Sequence, residues 1–189
     1  MKTTFFQTQF LSEEEGYRLT LTSRLGLILK EVEDLLGERD KTWTILGIEF
    51  EEGGPYVWYP ANSRNVLIRL STQVGGSLRE ACWELSHEVV HLLSPTGGDS
   101  ANVLEEGLAV WYSKRYLLTE FEYDHANTIP AYDAAYQLVK PFMDTNPSLI
   151  KEMRKEQKTI SLIDENILLK YIPNLSKDDA VKLTAKFKK

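Results

Sequence analysis

Residues 65–93 read NVLIRLSTQVGGSLREACWELSHEVVHLL. The stretch changes character at Gly75 and Gly76. Before them, residues 65–71 are rich in β-branched and aliphatic side chains and predict a strand. After them, from Ser77, apolar residues recur at helical spacing. Leu78, Cys82, Leu85, Val89 and Leu92 fall near one stripe, while Glu84, His87, Glu88 and His91 fall on another. The spacing predicts an amphipathic helix over 77–93, with its apolar stripe on a sheet and its polar face turned to a cleft.

Working outward, strands group upstream and helices downstream. Residues 12–37 predict a helix, with Ser12 as N-cap, Glu15 completing a capping box and Gly37 at the exit. Residues 42–51 and 56–59 predict two more strands, separated by the turn Gly53-Gly54-Pro55. Downstream of the central helix, further helices are expected over 102–119, 130–145, 147–157 and 176–187. The arrangement is α+β: a small sheet packed on the central helix, with a helical C-terminal part. There is no convincing linker or internal repeat, so residues 1–189 are expected to form one domain.

Within the central helix, residues 87–91 are His-Glu-Val-Val-His, and they hold two of the chain's three histidines. A spacing of i, i+4 puts both imidazoles on one helix face, with Cβ atoms about 5–6 Å apart. From there two ring nitrogens can reach one zinc ion at about 2.0–2.1 Å. Glu88 does not need to ligate; it is suited to take a proton from a metal-activated water. The same five residues can also arise by chance on a surface helix.

A catalytic zinc needs three protein ligands and an open position. Ser94 stands three residues after His91 and the next histidine is His125, so a carboxylate is the expected third ligand. Glu105, Glu106 and Asp99 are the candidates, and the glutamates also suit the first turn of a helix for reasons of the helix dipole alone. HEVVH together with Leu104-Glu105-Glu106-Gly107-Leu108-Ala109-Val110-Trp111-Tyr112-Ser113 resembles the gluzincin peptidases, the thermolysin-like and aminopeptidase-like superfamily. The resemblance covers about 30 residues and implies a zincin-like fold. It also implies that Glu106, immediately before Gly107, completes the metal set with His87 and His91. The connection between His91 and Glu106 is 14 residues, shorter than is usual in the aminopeptidase branch. Val110 stands where a thermolysin-like site carries an orienting aspartate, so the histidines need orienting partners from elsewhere.

The same resemblance implies an oxyanion donor at the head of the helix beginning at Pro130. Tyr132 matches best, and Tyr136 and His125 remain alternatives. It further implies that the strand at Val66–Leu70 could pair with an extended substrate along the cleft, unless it is an ordinary core strand. Arg64 and Arg69 are candidates for a substrate carboxylate, or are simply solvated, and the basic tail at 186–189 implies no partner.

The expected activity is zinc-dependent hydrolysis of peptide bonds, with Glu88 and Tyr132 catalytic. A zincin-like domain with a binding or regulatory role and little turnover is the alternative. The partner is then a peptide or protein substrate. A formal net charge of −6 argues against a nucleic-acid binder. One cysteine, no secretory leader pattern and no long apolar run predict a cytoplasmic protein that makes no membrane contact.

Overall fold

A computed structural model describes residues 20–61, 63–98, 100–126 and 128–188. The first helix among the described residues, α1, spans Leu21–Leu36. It begins later than expected because Thr20 is extended and its side chain accepts from the Ser23 amide at 3.0 Å, which is an N-cap. Ser12 and Glu15 lie outside the described residues. Leu21, Leu25, Ile28, Val32 and Leu36 bury one face of α1, and Gly37 ends it at φ 99°.

Strand β1 covers Thr44–Glu51, β2 covers Tyr56–Trp58 and β3 covers Asn65–Ser71, close to expectation. Their order in the sheet is β1-β3-β2. β3 pairs parallel with β1 and antiparallel with β2. The β1 register shifts between Ile45 and Ile48, where Gly47 takes φ 132°, a bulge that glycine accommodates without strain. Val66, Ile68 and Leu70 are fully buried, as suits a central strand.

A short 3-10 turn at Thr72–Gly76 leads from β3 into α2, Leu78–His91. The remaining helices are α3 (Val103–Phe121), α4 (Pro130–Thr145), α5 (Leu149–Met153), α6 (Glu165–Tyr171) and α7 (Lys177–Thr184). α5 is shorter than the expected 147–157. α6 was not expected, although Asp164 caps it by accepting from the Ile167 amide at 2.9 Å. The result is a mixed α+β architecture in which α2 packs against β3, α1 and α3, and α3 packs against α4.

Only part of α2 follows the two-stripe expectation. Leu78 is exposed, whereas Cys82, Leu85 and Val89 are buried, and so are Glu84, His87 and Glu88 on the polar stripe. The chain thus buries polar groups along α2, which requires partners for them. Beyond its end, Arg154 stitches the chain together. Its buried guanidinium donates to the carbonyls of Leu36 at 3.0 Å, Gly37 at 2.6 Å, Glu38 at 2.8 Å and Leu93 at 3.2 Å. One side chain therefore ties the exit of α1 to the loop that leaves the HEVVH helix.

Candidate metal centre

α2 is anchored at its start and at its middle. Ser77 caps its start by accepting from the Glu80 amide, and Glu84 accepts from the Ser71 amide of β3 at 2.8 Å. Burial pushes the Glu84 carboxyl up to about 7, with Glu88 and Glu80 adding repulsion against the Ser71 hydrogen bond. From this fixed helix, His87 and His91 project one turn apart, with ring centroids 5.3 Å from each other.

α3 brings the carboxylates. Asn102 caps it, accepting from the Glu105 amide at 2.9 Å, so Glu105 and Glu106 both lie in the first turn. Glu106 Oε2 accepts from His87 Nε2 at 3.1 Å, and Glu106 Oε1 lies 3.8 Å from His91 Nε2. His87, His91 and Glu106 each offer a ligand atom, and all three atoms lie within 4.8 Å of one another. Donors about 2.0–2.1 Å from a tetrahedral ion sit about 3.4 Å apart, so the two carboxylate separations bracket what one ion requires. Two imidazole nitrogens and one carboxylate oxygen are also a donor set that zinc accepts.

Glu105 has a role that the sequence reading missed. His91 Nδ1 donates to Glu105 Oε1 at 2.8 Å, which fixes the ring and turns Nε2 toward Glu106. A carboxylate behind a ligating imidazole raises its basicity and selects its tautomer. Glu105 is thus the orienting partner that Val110, where a thermolysin-like site carries an aspartate, cannot supply. Burial alone would depress His91, but Glu106, Glu105 and Glu88 outweigh it and push the ring up to about 10.

The three ligand candidates open onto a cleft of about 750 Å³, the size of a site for a small ligand or peptide segment. Glu88 lines this cleft and is almost fully buried. Tyr132 also lines it, with its ring 5.5 Å from that of His87. The two alternatives for its role lie elsewhere. His125 stacks on Trp83 at 3.9 Å and reaches Glu80 at 3.2 Å, while Tyr136 packs under the Lys114 ammonium. Asp99 lies outside the described residues.

Two open alternatives are decided by the sheet and its ion pairs. β3 cannot pair with an extended substrate, because β1 and β2 occupy both of its edges. β2 is the edge strand beside the cleft, contributing Tyr56 and Val57 to its lining, with Tyr59 just beyond the strand end. Nor do the arginines serve the cleft. Arg69 pairs with Glu49 and with Glu51 at 2.6 Å and stacks on Trp58 at 3.8 Å, while Arg64 bonds Thr42 at 2.7 Å.

No family model, curated sequence or solved structure matches the chain. No helix among the described residues is long and apolar enough to cross a membrane.

Proposed function

We propose that this chain is a zinc-dependent peptidase with a zincin-like, gluzincin-type domain. The observation that carries the reading is convergence. His87, Glu88 and His91 from α2, Glu106 from α3 and Tyr132 from α4 all meet at one cleft, although they are spread over 46 positions of sequence.

His87, His91 and Glu106 would hold the ion through two ring nitrogens and a carboxylate oxygen, and Glu105 keeps His91 in the ligating orientation. Zinc with three protein ligands acts as a Lewis acid and lowers the pKa of water to about 7. Glu88 takes the proton from the water that attacks the peptide carbonyl and passes it to the departing amine. The carbonyl oxygen gains negative charge as that bond forms. The Tyr132 phenol donates a hydrogen bond to it, stabilising charge that is absent from bound substrate. Edge strand β2 offers backbone donors and acceptors along which an extended peptide can lie.

The test uses zinc-loaded protein and a complex peptide mixture, with new termini read by mass spectrometry. Wild type should generate them, and Glu88→Gln should generate none while retaining zinc. Equal cleavage by both proteins, or none by wild type, overturns the assignment. Zinc and peptide binding without cleavage would instead describe a zincin-like binding domain.

A further inference from the structure

The last described residues form part of the cleft. α7 ends at Thr184, and the chain then runs extended beside the segment leading into α3. The Val103 amide donates to the Ala185 carbonyl at 3.0 Å, and the Phe187 amide donates to the Ala101 carbonyl at 3.1 Å. Lys186 forms an antiparallel bridge with Asn102, the cap of the helix bearing Glu105 and Glu106. The strap is therefore fixed by backbone bonds to the residues immediately before the metal-ligand candidate. Its Phe187 ring lies 4.8 Å from Tyr132, and Lys186, Phe187 and Lys188 all line the cleft.

The charges around this wall are unequal in their commitments. Of the acidic groups lining the cleft, Glu105 accepts from His91 and Glu106 from His87. The lysines have no such engagement: no ion pair joins Lys186 or Lys188 to any other described residue. Both are exposed at the cleft, and they are its only lysine or arginine side chains among the described residues. The arginines nearer the sheet are neutralised by Glu49, Glu51 and Asp40. An acidic protein of net charge −6 thus holds, on the lining of its candidate site, two ammonium groups with no ion pair to a described residue. The cleft carries both signs, but Glu105 and Glu106 are engaged by the histidines, which leaves the two ammonium groups to attract a ligand of opposite sign to this wall.

We propose that the strap selects substrate: Lys186 and Lys188 receive a carboxylate carried by the peptide close to the bond to be cleaved. The proposal rests on the peptidase reading above. An ammonium on a flexible four-carbon stem accepts a carboxylate without the fixed geometry of a guanidinium. A carboxylate reaches this position in two ways, from an Asp or Glu side chain or from the peptide's C-terminus. Phe187 and Tyr132 supply an aromatic surface beside it for the adjoining part of the peptide.

The test separates recognition from turnover by measuring binding to zinc-loaded, full-length Glu88→Gln. The probes are fluorescent blocked decapeptides that differ by Glu or Gln at one position at a time. Matched pairs with a free or amidated C-terminus complete the set, all read by anisotropy. At least one carboxylate-bearing peptide should bind about tenfold tighter than its neutral partner at low salt, a difference that shrinks as salt rises. Discrimination by the Glu/Gln pairs assigns the side chain, and discrimination by the free and amidated pairs assigns the terminus. Lys186→Met/Lys188→Met should abolish the preference, and Lys186→Glu/Lys188→Glu should reverse it. Both changes are at exposed side chains, and an unchanged melting temperature checks that the fold is kept. Equal affinities across all pairs, binding of no peptide, or a preference that survives Lys186→Met/Lys188→Met overturns the proposal. A lysine-dependent preference without cleavage by wild type leaves anion recognition standing and removes the peptidase reading alone.

Discussion

Gly107→Ala tests how α3 and α4 hold the site together. Gly107 follows Glu106, and a Cβ at this position would lie 2.5 Å from the Ala135 carbonyl oxygen and 2.8 Å from Val139 Cγ1. Ordinary van der Waals contact for a Cβ begins at 3.4 Å. The two helices must therefore part by roughly 1 Å, since a backbone oxygen cannot rotate aside as a side chain can. A radial gap of about 0.5–1 Å forfeits a quarter to a half of the dispersion attraction of the contacts it opens. Overpacking typically costs about 1–3 kcal/mol, against about 1 kcal/mol gained from the better helix propensity of alanine. With the obstruction in the backbone, the net loss should be about 2 kcal/mol. Urea denaturation of metal-stripped protein should show this as a lower midpoint with an unchanged slope. Gly26→Ala is the control, because Gly26 lies within α1 and a Cβ there meets nothing within 4 Å. That substitution should stabilise by up to about 1 kcal/mol. Turnover by Gly107→Ala should fall more than zinc affinity, because the shift moves Tyr132 on α4 relative to the ligands on α2 and α3. A Gly107→Ala protein as stable as wild type would refute the close approach of the two helices.

Glu105→Ala should weaken zinc binding by about 10–100-fold through loss of the His91 partner. Glu106→Ala should weaken it far more, and competition with a chromogenic chelator ranks the two. Metal-stripped protein should lose stability as pH rises. His91 is pushed up from its ordinary 6.5 to about 10, so its contribution is complete below 6.5 and is lost as pH passes through 10. Thermal melts across that window check the sign, and His91→Gln should flatten the dependence. Tyr132→Phe should leave zinc binding intact and lower kcat by about 10²–10³ with little change in substrate affinity. Tyr136→Phe and His125→Ala should be near wild type.

The HEVVH helix was readable because its signals are local: a capping serine, apolar residues at helical spacing, and two imidazoles one turn apart. Glu106 was readable through its position before Gly107 in the family resemblance. Gly107 itself has a cause invisible to local spacing, since the close approach of Ala135 depends on where α4 lands. Glu105 was missed for a related reason. Adjacent helical residues point about 100° apart, and which of them meets which imidazole nitrogen depends on how α3 crosses α2. Whether Val66–Leu70 is an edge or a core strand stays open in the sequence reading, although a clue is present. Val66-Leu67-Ile68 is a continuous apolar run, as expected of a strand covered on both faces, whereas an edge strand more often alternates. The strap at Ala185–Phe187 left no trace in sequence, because its bonds to Ala101 and Val103 join segments more than 80 residues apart and carry no periodicity.

His87, His91 and Glu106 are proposed to bind one catalytic zinc. The most direct measurement is an anomalous difference map, collected at the zinc edge, from a crystal of zinc-loaded protein. One peak per chain is expected, about 2.0–2.2 Å from His87 Nε2, His91 Nε2 and a Glu106 carboxylate oxygen. Glu88 should stand beyond ligating distance, and Glu105 should still accept from His91 Nδ1. A map with no peak between these side chains, or a peak bound by Glu88 or Glu105 in place of Glu106, would contradict it.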